Sequence, residues 1–137
     1  MKYSQQPMAL FIAGLLVALI SQPGIAAESS AVQIDEDDIG GVVTSTNGPE
    51  AGVWVIAETY DLPTGYSKTV ITDEQGRYVI PDLPEASYEV FVRGYGLIDS
   101  PRVDSIPGQQ LALTAVVAPS EAAAAEYYPA SYWNSLL

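Results

Sequence analysis

The chain has 137 residues, a formal net charge of −12, and neither cysteine nor histidine. It therefore has no disulfide bond and no cysteine-linked lipid, and it lacks both the commonest general base and a main zinc ligand. Its five basic residues are scattered along the sequence, whereas nucleic-acid binding draws on clustered Lys and Arg, so we predict no nucleic-acid partner.

The N-terminus has the pattern of an export signal. Lys2 supplies a positive head, residues 8–20 form an unbroken apolar run, and small residues follow at Ala26 and Ala27. We predict a signal helix within residues 1–27, cleaved after Ala26 or Ala27. A retained membrane anchor is the alternative, but the run is shorter than the roughly 20 residues of a spanning helix. The mature chain is expected in the periplasm or outside the cell, not as an integral membrane protein.

An acidic stretch, residues 28–38, follows the signal and is predicted to be a flexible linker. Its last four residues, 35–38, are all acidic, and carboxylates of this kind are calcium ligands in proteins. The stretch lacks the spacing and the glycine of a calcium loop, and short runs of like charge usually remain solvated. We therefore predict no metal site.

Residues 39–118 alternate short strand patterns with turn residues. The predicted strands are residues 39–46, 53–60, 66–73, 77–80, 87–93 and 109–118. Successive side chains point to opposite sides of a strand, so Tyr78 and Ile80 share one face, as do Tyr88, Val90 and Val92. Short strands at such regular spacing predict an all-β sandwich or barrel.

The same alternation places large apolar side chains on the outward faces. If Val53 and Val55 point inward, Trp54 and Ile56 point outward, and Phe91 does so on a later strand. A solvated outer face should be polar, so these residues predict a surface covered by the chain's own tail or by a partner. The alternatives are that they are singly exposed residues or that the two faces are reversed.

The tail, residues 119–137, is rich in alanine and aromatic residues. Ser120 is predicted to cap a short helix over residues 121–128, which ends before Pro129. Residues such as Trp133 make the tail too apolar to lie in water. We therefore predict that the tail docks on the sandwich or on a downstream domain.

Part of this pattern resembles a known family. The residues are Thr72-Asp73-x-x-Gly76-x-Tyr78-x-Ile80-x-x-Leu83-Pro84-x-Ala86-x-Tyr88-x-Val90-x-Val92, preceded by Gly41-x-Val43 and Gly48-x-x-Ala51-Gly52-Val53-x-Val55. They resemble the carboxypeptidase regulatory-like domain. The resemblance implies a seven-stranded antiparallel Greek-key sandwich, like that of transthyretin, over residues 39–118. It implies no peptidase activity, because the zinc ligands of metallocarboxypeptidases lie in the partner domain.

A second similarity concerns residues 93–101 and 123–133, which look like those of a subgroup of exported bacterial proteins. In that subgroup, the resemblance implies, the sandwich can precede a c-type haem segment and a lyase-like β-propeller. This chain has no Cys-x-x-Cys-His motif, so no haem chemistry is carried over, and we predict no cofactor.

No set of residues forms a convincing catalytic constellation, so we predict that the chain is not an enzyme. The leading hypothesis is an exported accessory module that braces or positions a downstream domain or another exported protein. The alternative is a carbohydrate-binding module, because aromatic rings stack on the apolar faces of sugars. The candidate contacts with a partner or a polysaccharide are Trp54, Ile56, Tyr60, Phe91, Tyr95 and Trp133.

Overall fold

Two β-sheets face each other across a shared core in the computed structural model, which describes residues 31–137. The predicted signal helix lies outside the described residues. Within residues 31–137, no helix has both the length and the apolar character needed to cross a membrane.

The described residues are mostly β, with eleven strands and two short helices. In chain order these are β1 (Ile39–Ser45), β2 (Gly48–Pro49), β3 (Trp54–Thr59), β4 (Tyr66–Ile71), β5 (Arg77–Ile80), β6 (Tyr88–Arg93), β7 (Leu97–Ile98), β8 (Val103–Ser105), β9 (Gln109–Gln110), β10 (Leu113–Thr114), β11 (Val116–Val117), α1 (Glu121–Ala125) and α2 (Ala130–Asn134).

The first sheet is built around β1. This strand pairs antiparallel with β2 and β5, and parallel with β9 and β10. The parallel pairs differ from the predicted all-antiparallel arrangement. They arise because the chain returns from the other sheet after β8 and then runs alongside β1 in the same direction.

The second sheet has the order β4-β3-β6-β8 and is antiparallel throughout. Its central strand, β3, is in register with both neighbours, so that Val55 pairs with Val70 on one side and with Val92 on the other. A separate ribbon joins β7 to β11.

The core between the two sheets contains the residues that the alternation predicted. Tyr78 and Ile80 contribute from the first sheet, and Tyr88, Val90 and Val92 from the second, all of them buried. Burying a large apolar side chain contributes roughly 1.5–3 kcal/mol, opposed by the entropy of ordering the chain. The arrangement is sandwich-like.

The predicted last strand, residues 109–118, is divided into three. β9 and β10 pair with β1, whereas β11 pairs with β7, because the chain leaves the first sheet after Thr114. The seven-strand Greek key therefore stays a prediction, since five of the eleven described strands have only two residues.

The acidic stretch before β1 is hydrogen-bonded to the domain at its C-terminal end. The buried Asp38 carboxylate accepts the backbone N–H groups of Asp35 (3.1 Å) and Asp82 (3.3 Å), and the Asp37 carbonyl accepts the N–H of Leu83 (2.8 Å). Residues 35–38 are thus anchored to the sandwich. The prediction of a linker over residues 28–38 did not include these bonds, because the charge pattern alone does not indicate that a carboxylate will bind backbone N–H groups.

The Asp38 contacts predict an acid-sensitive stability. The hydrogen bond from the Asp35 N–H lowers the pKa of Asp38 below 3.8, so the folded state favours the ionised carboxylate more than the unfolded state does. This contribution is present above the unfolded pKa and is lost as the pH falls through the lowered pKa. Asp38→Asn should therefore lower the free energy of unfolding by about 1–2 kcal/mol at neutral pH, and by less in strong acid.

Urea unfolding at neutral pH and in strong acid measures this effect. Asp37→Asn is the matched control, because the Asp37 side chain is exposed. The Asp38 side chain also raises the pKa of the neighbouring Asp35, and a raised pKa has the opposite effect on how stability depends on pH. The informative quantity is therefore the difference between the two variants in the free energy of unfolding. Equal losses in both variants would contradict the assigned role of Asp38.

Candidate functional site: the outer face of the second sheet and the aromatic tail

Strand register arranges the outer face of the second sheet in rows across β4, β3 and β6. The rows are Ile71–Trp54–Arg93, Thr69–Ile56–Phe91 and Ser67–Glu58–Glu89. The face thus changes from largely apolar at one end to acidic at the other. This is the face on which the sequence predicted Trp54, Ile56 and Phe91.

Two of these apolar side chains are covered within the chain itself. Phe91 is 1% exposed and Ile56 is 8% exposed, although neither belongs to the core between the sheets. The Arg102 guanidinium lies 4.1 Å from the centre of the Phe91 ring, a cation–π contact, and its Nη1 donates to Glu58 at 2.8 Å. Arg102 therefore joins the apolar and acidic ends of the face.

Arg93 is held rigidly beside Trp54. Its Nε and Nη2 donate to the two carboxylate oxygens of Asp99, both at 2.7 Å, a bidentate geometry that fixes the plane of the guanidinium. Hydrogen bonding to Asp99 raises the pKa of Arg93. The Nη1 group makes no hydrogen bond to residues 31–137 and is left as a donor.

The tail packs on the same face through aromatic contacts. Tyr95, in the loop after β6, lies 5.2 Å from Trp54, 5.0 Å from Tyr128 and 5.6 Å from Tyr132, measured between ring centres. The Tyr128 hydroxyl accepts the backbone N–H of Gly96 at 3.2 Å. Tyr95 is therefore the link between the sheet and the tail.

Some residues of the two short tail helices contact the rest of the domain, and others are exposed to solvent. Ser120 caps α1, as predicted, by accepting the N–H of Ala123 at 3.1 Å, and Ala124 on that helix is buried. In α2, Tyr132 contacts Tyr95 and Tyr128, whereas Trp133 is 46% exposed.

The six predicted contact residues do not form one surface. Trp54 and Tyr95 are brought together, Ile56 and Phe91 are covered, and Trp133 contacts the tail tyrosines rather than the sheet. Tyr60 is 80% exposed and lies at the acidic end, beside a cleft that several carboxylates line.

Arg93 and Arg102 were not predicted on this face, and docking was predicted for the tail as a whole without singling out Tyr128 and Tyr132. The spacing of the two tyrosines was no signal, because Tyr128 lies between α1 and α2 and the two rings meet across the turn at Pro129 rather than along one helix. Nothing local marks Arg102, whose partner Glu58 is 44 residues away, whereas Asp99, the partner of Arg93, lies only six residues along the chain and was predicted as one of its two possible partners.

A cleft of about 310 Å³ lies between the tail and the sheet. Its lining residues are Trp54, Ile56, Thr69, Arg93, Pro129 and Ser131. The lining therefore includes aromatic and aliphatic side chains, two side chains with a hydroxyl group, and one with a guanidinium group. Such a combination, apolar walls with a few placed polar groups, is typical of small-molecule sites.

Comparison with known proteins leaves the family of this chain open. No family model matches the chain, and no curated protein matches it. Among solved structures, the chain is similar to a crystal structure of a "putative carbohydrate binding protein" from Pseudomonas aeruginosa, with 17% sequence identity and a TM-score of 0.40. The match covers 62% of this chain and 92% of the other.

Proposed function

We propose that this chain is an exported, non-catalytic accessory module that holds its aromatic tail on a β-sandwich and uses the tail to position a partner domain or protein. The observation that carries the proposal is the division of the tail. Tyr128 and Tyr132 are packed on Tyr95, while Trp133 and Leu136 stay 46% and 64% exposed.

The packed tyrosines thus hold the tail on the domain, while its exposed apolar side chains face solvent. A single exposed apolar residue is common, but neighbouring ones on a short ordered segment are typical of contact sites. Because the tail is already ordered, less conformational entropy is lost when a partner binds it than if binding had to order the tail. The proposal includes export through residues 1–27 and the seven-stranded Greek-key fold of the carboxypeptidase regulatory-like domain.

Site-specific photo-crosslinking in cells that express the full chain tests the proposal. Trp133→benzoylphenylalanine should give a crosslinked product of defined mass. The control is Tyr60→benzoylphenylalanine, because Tyr60 is an aromatic residue with even greater exposure, 80%, on a different part of the domain. The absence of a product from position 133, or an equal yield from position 60, would refute partner docking on the tail.

A second candidate function, carbohydrate binding, is favoured by the cleft between Trp54 and the tail. The residues lining this cleft of about 310 Å³ include an aromatic ring, two hydroxyl-bearing side chains and one arginine, a combination of apolar surface and a few polar groups that suits a sugar. Retention of the protein on insoluble polysaccharides, with Trp54→Ala as the comparison, is the general test of this candidate.

A further inference from the structure

We propose that the cleft formed by Trp54, Thr69, Arg93 and the tail residues Pro129 and Ser131 binds a neutral pyranose unit, and that the docked tail supplies one of its walls. This inference rests on the second candidate function and names the site and the ligand class for it. It does not depend on a partner at Trp133.

The chemistry of the walls argues for a sugar. Trp54 and Pro129 offer apolar surface, to which the 8% exposed Ile56 adds little. Such surface suits the C–H face of a pyranose ring. The hydroxyl groups of Thr69 and Ser131 can each donate and accept hydrogen bonds, as sugar hydroxyls do. Arg93 Nη1 adds a donor whose position is fixed by the two bonds to Asp99.

Charge argues for a neutral ligand. Among residues 31–137, Arg93 is the one charged residue that lines the cleft, and its charge is balanced by Asp99 at 2.7 Å. The whole chain carries a formal charge of −12, which repels acidic polysaccharides over distances comparable to the Debye length. A uronate or a sulfated sugar is therefore disfavoured.

Size limits the ligand to a short segment. A volume of about 310 Å³ is at the lower end of the range for small-molecule clefts, roughly 300–1,000 Å³. The exposed Thr69 lies on β4, which is the edge strand of its sheet, so a longer glycan can continue out of the cleft past this edge. For so few contact atoms we expect a dissociation constant on the order of tens of micromolar to millimolar.

The tail is part of this site. Pro129 and Ser131 lie at the start of α2, and their position depends on the contacts of Tyr128 and Tyr132 with Tyr95. A chain whose tail is released should therefore lose saccharide binding even if its sandwich is intact.

The test is a titration with methyl glucoside, methyl mannoside and methyl galactoside and with their trisaccharides, with trigalacturonate as the acidic counterpart. The chain has two tryptophans, so Trp133→Phe serves as the background in which the fluorescence reports on Trp54 alone. We expect at least one neutral saccharide to change the Trp54 emission with saturation. In isothermal calorimetry of the original chain, the same saccharide should bind.

Three further variants locate the site. Thr69→Val and Ser131→Ala each remove one hydroxyl from an exposed position and should weaken binding about three- to tenfold. Ser67→Ala, on the same face of β4 but outside the cleft, should leave the affinity unchanged. All three preserve the buried contacts, so a loss of binding is not a loss of folding.

Several results would overturn the inference. They are binding of none of the neutral saccharides, binding of trigalacturonate alone, or affinity that is indifferent to Thr69→Val and Ser131→Ala. Because crosslinking from position 133 does not involve Thr69, the Thr69→Val variant should crosslink normally. A failure of the saccharide site is thereby distinguished from a failure of partner positioning.

Discussion

Gly41→Ala should destabilise the domain strongly. An added Cβ at Gly41 would lie 2.0 Å from the carbonyl oxygen and 2.6 Å from the carbonyl carbon of Leu111. Both are backbone atoms, so the clash cannot be relieved by a side-chain rotation. Overpacking usually costs about 1–3 kcal/mol and sometimes more. We expect a loss above about 3 kcal/mol here, against a total of roughly 5–15 kcal/mol for an ordinary domain.

The loss is expected to be large because Leu111 connects three parts of the fold. Its N–H donates to the Gly40 carbonyl at 2.8 Å, and its carbonyl accepts the hydroxyl of Tyr78 at 2.6 Å. Burial raises the pKa of Tyr78, so this hydroxyl stays protonated and remains a donor. Moving Leu111 away from β1 would break these bonds and the parallel pairing of β9 and β10 with β1.

Urea unfolding monitored by circular dichroism measures the effect. Gly65→Ala is the matched control, because an added Cβ at Gly65 meets only the side chain of Tyr60, at an ordinary 3.5 Å. Its midpoint should be close to that of the original chain. A Gly41→Ala protein as stable as Gly65→Ala would show that Leu111 does not approach β1 as described.

Tyr95→Ala should release the tail while leaving the sandwich folded. The substitution removes the ring contacts with Trp54, Tyr128 and Tyr132. Aromatic pairs of this kind contribute about 0.5–1.5 kcal/mol each beyond their buried area. The two pairs that join Tyr95 to the tail, with Tyr128 and Tyr132, should therefore account for about 1–3 kcal/mol of docking free energy. Tyr95 is itself exposed and outside the core between the sheets, so the core should be unaffected.

Limited proteolysis and hydrogen exchange measure this release. Cleavage near residue 123 should become about five- to 150-fold faster, and the amides of α1 and α2 should lose protection, while those of β3 and β6 keep theirs. Tyr60→Ala, which removes a ring that is 80% exposed, is the control and should leave the tail protected. Equally rapid cleavage near residue 123 in the original chain would mean that the tail is not docked.

The candidate site was predictable only in part. Trp54 and Tyr95 were identified from their residue types, and the apolar outer face followed from strand alternation, because both depend on features that the sequence shows directly. Phe91 and Ile56 were expected as contact residues, but both are buried, and Arg102 lies over the Phe91 ring. Arg102 was not foreseen as a cover, because no local pattern specifies that a loop arginine will lie over an aromatic ring on another strand.

The sequence alone determined the strand alternation, the turns and the core residues of this protein. Those features are local: a residue's neighbours two positions away and a glycine or proline at a turn are enough to specify them. Only the tertiary structure decided which strands pair with β1, that Asp38 binds backbone N–H groups, and that the tail meets Tyr95. These contacts join residues far apart in the chain, and their energies depend on geometry that exists only after the two sheets have packed.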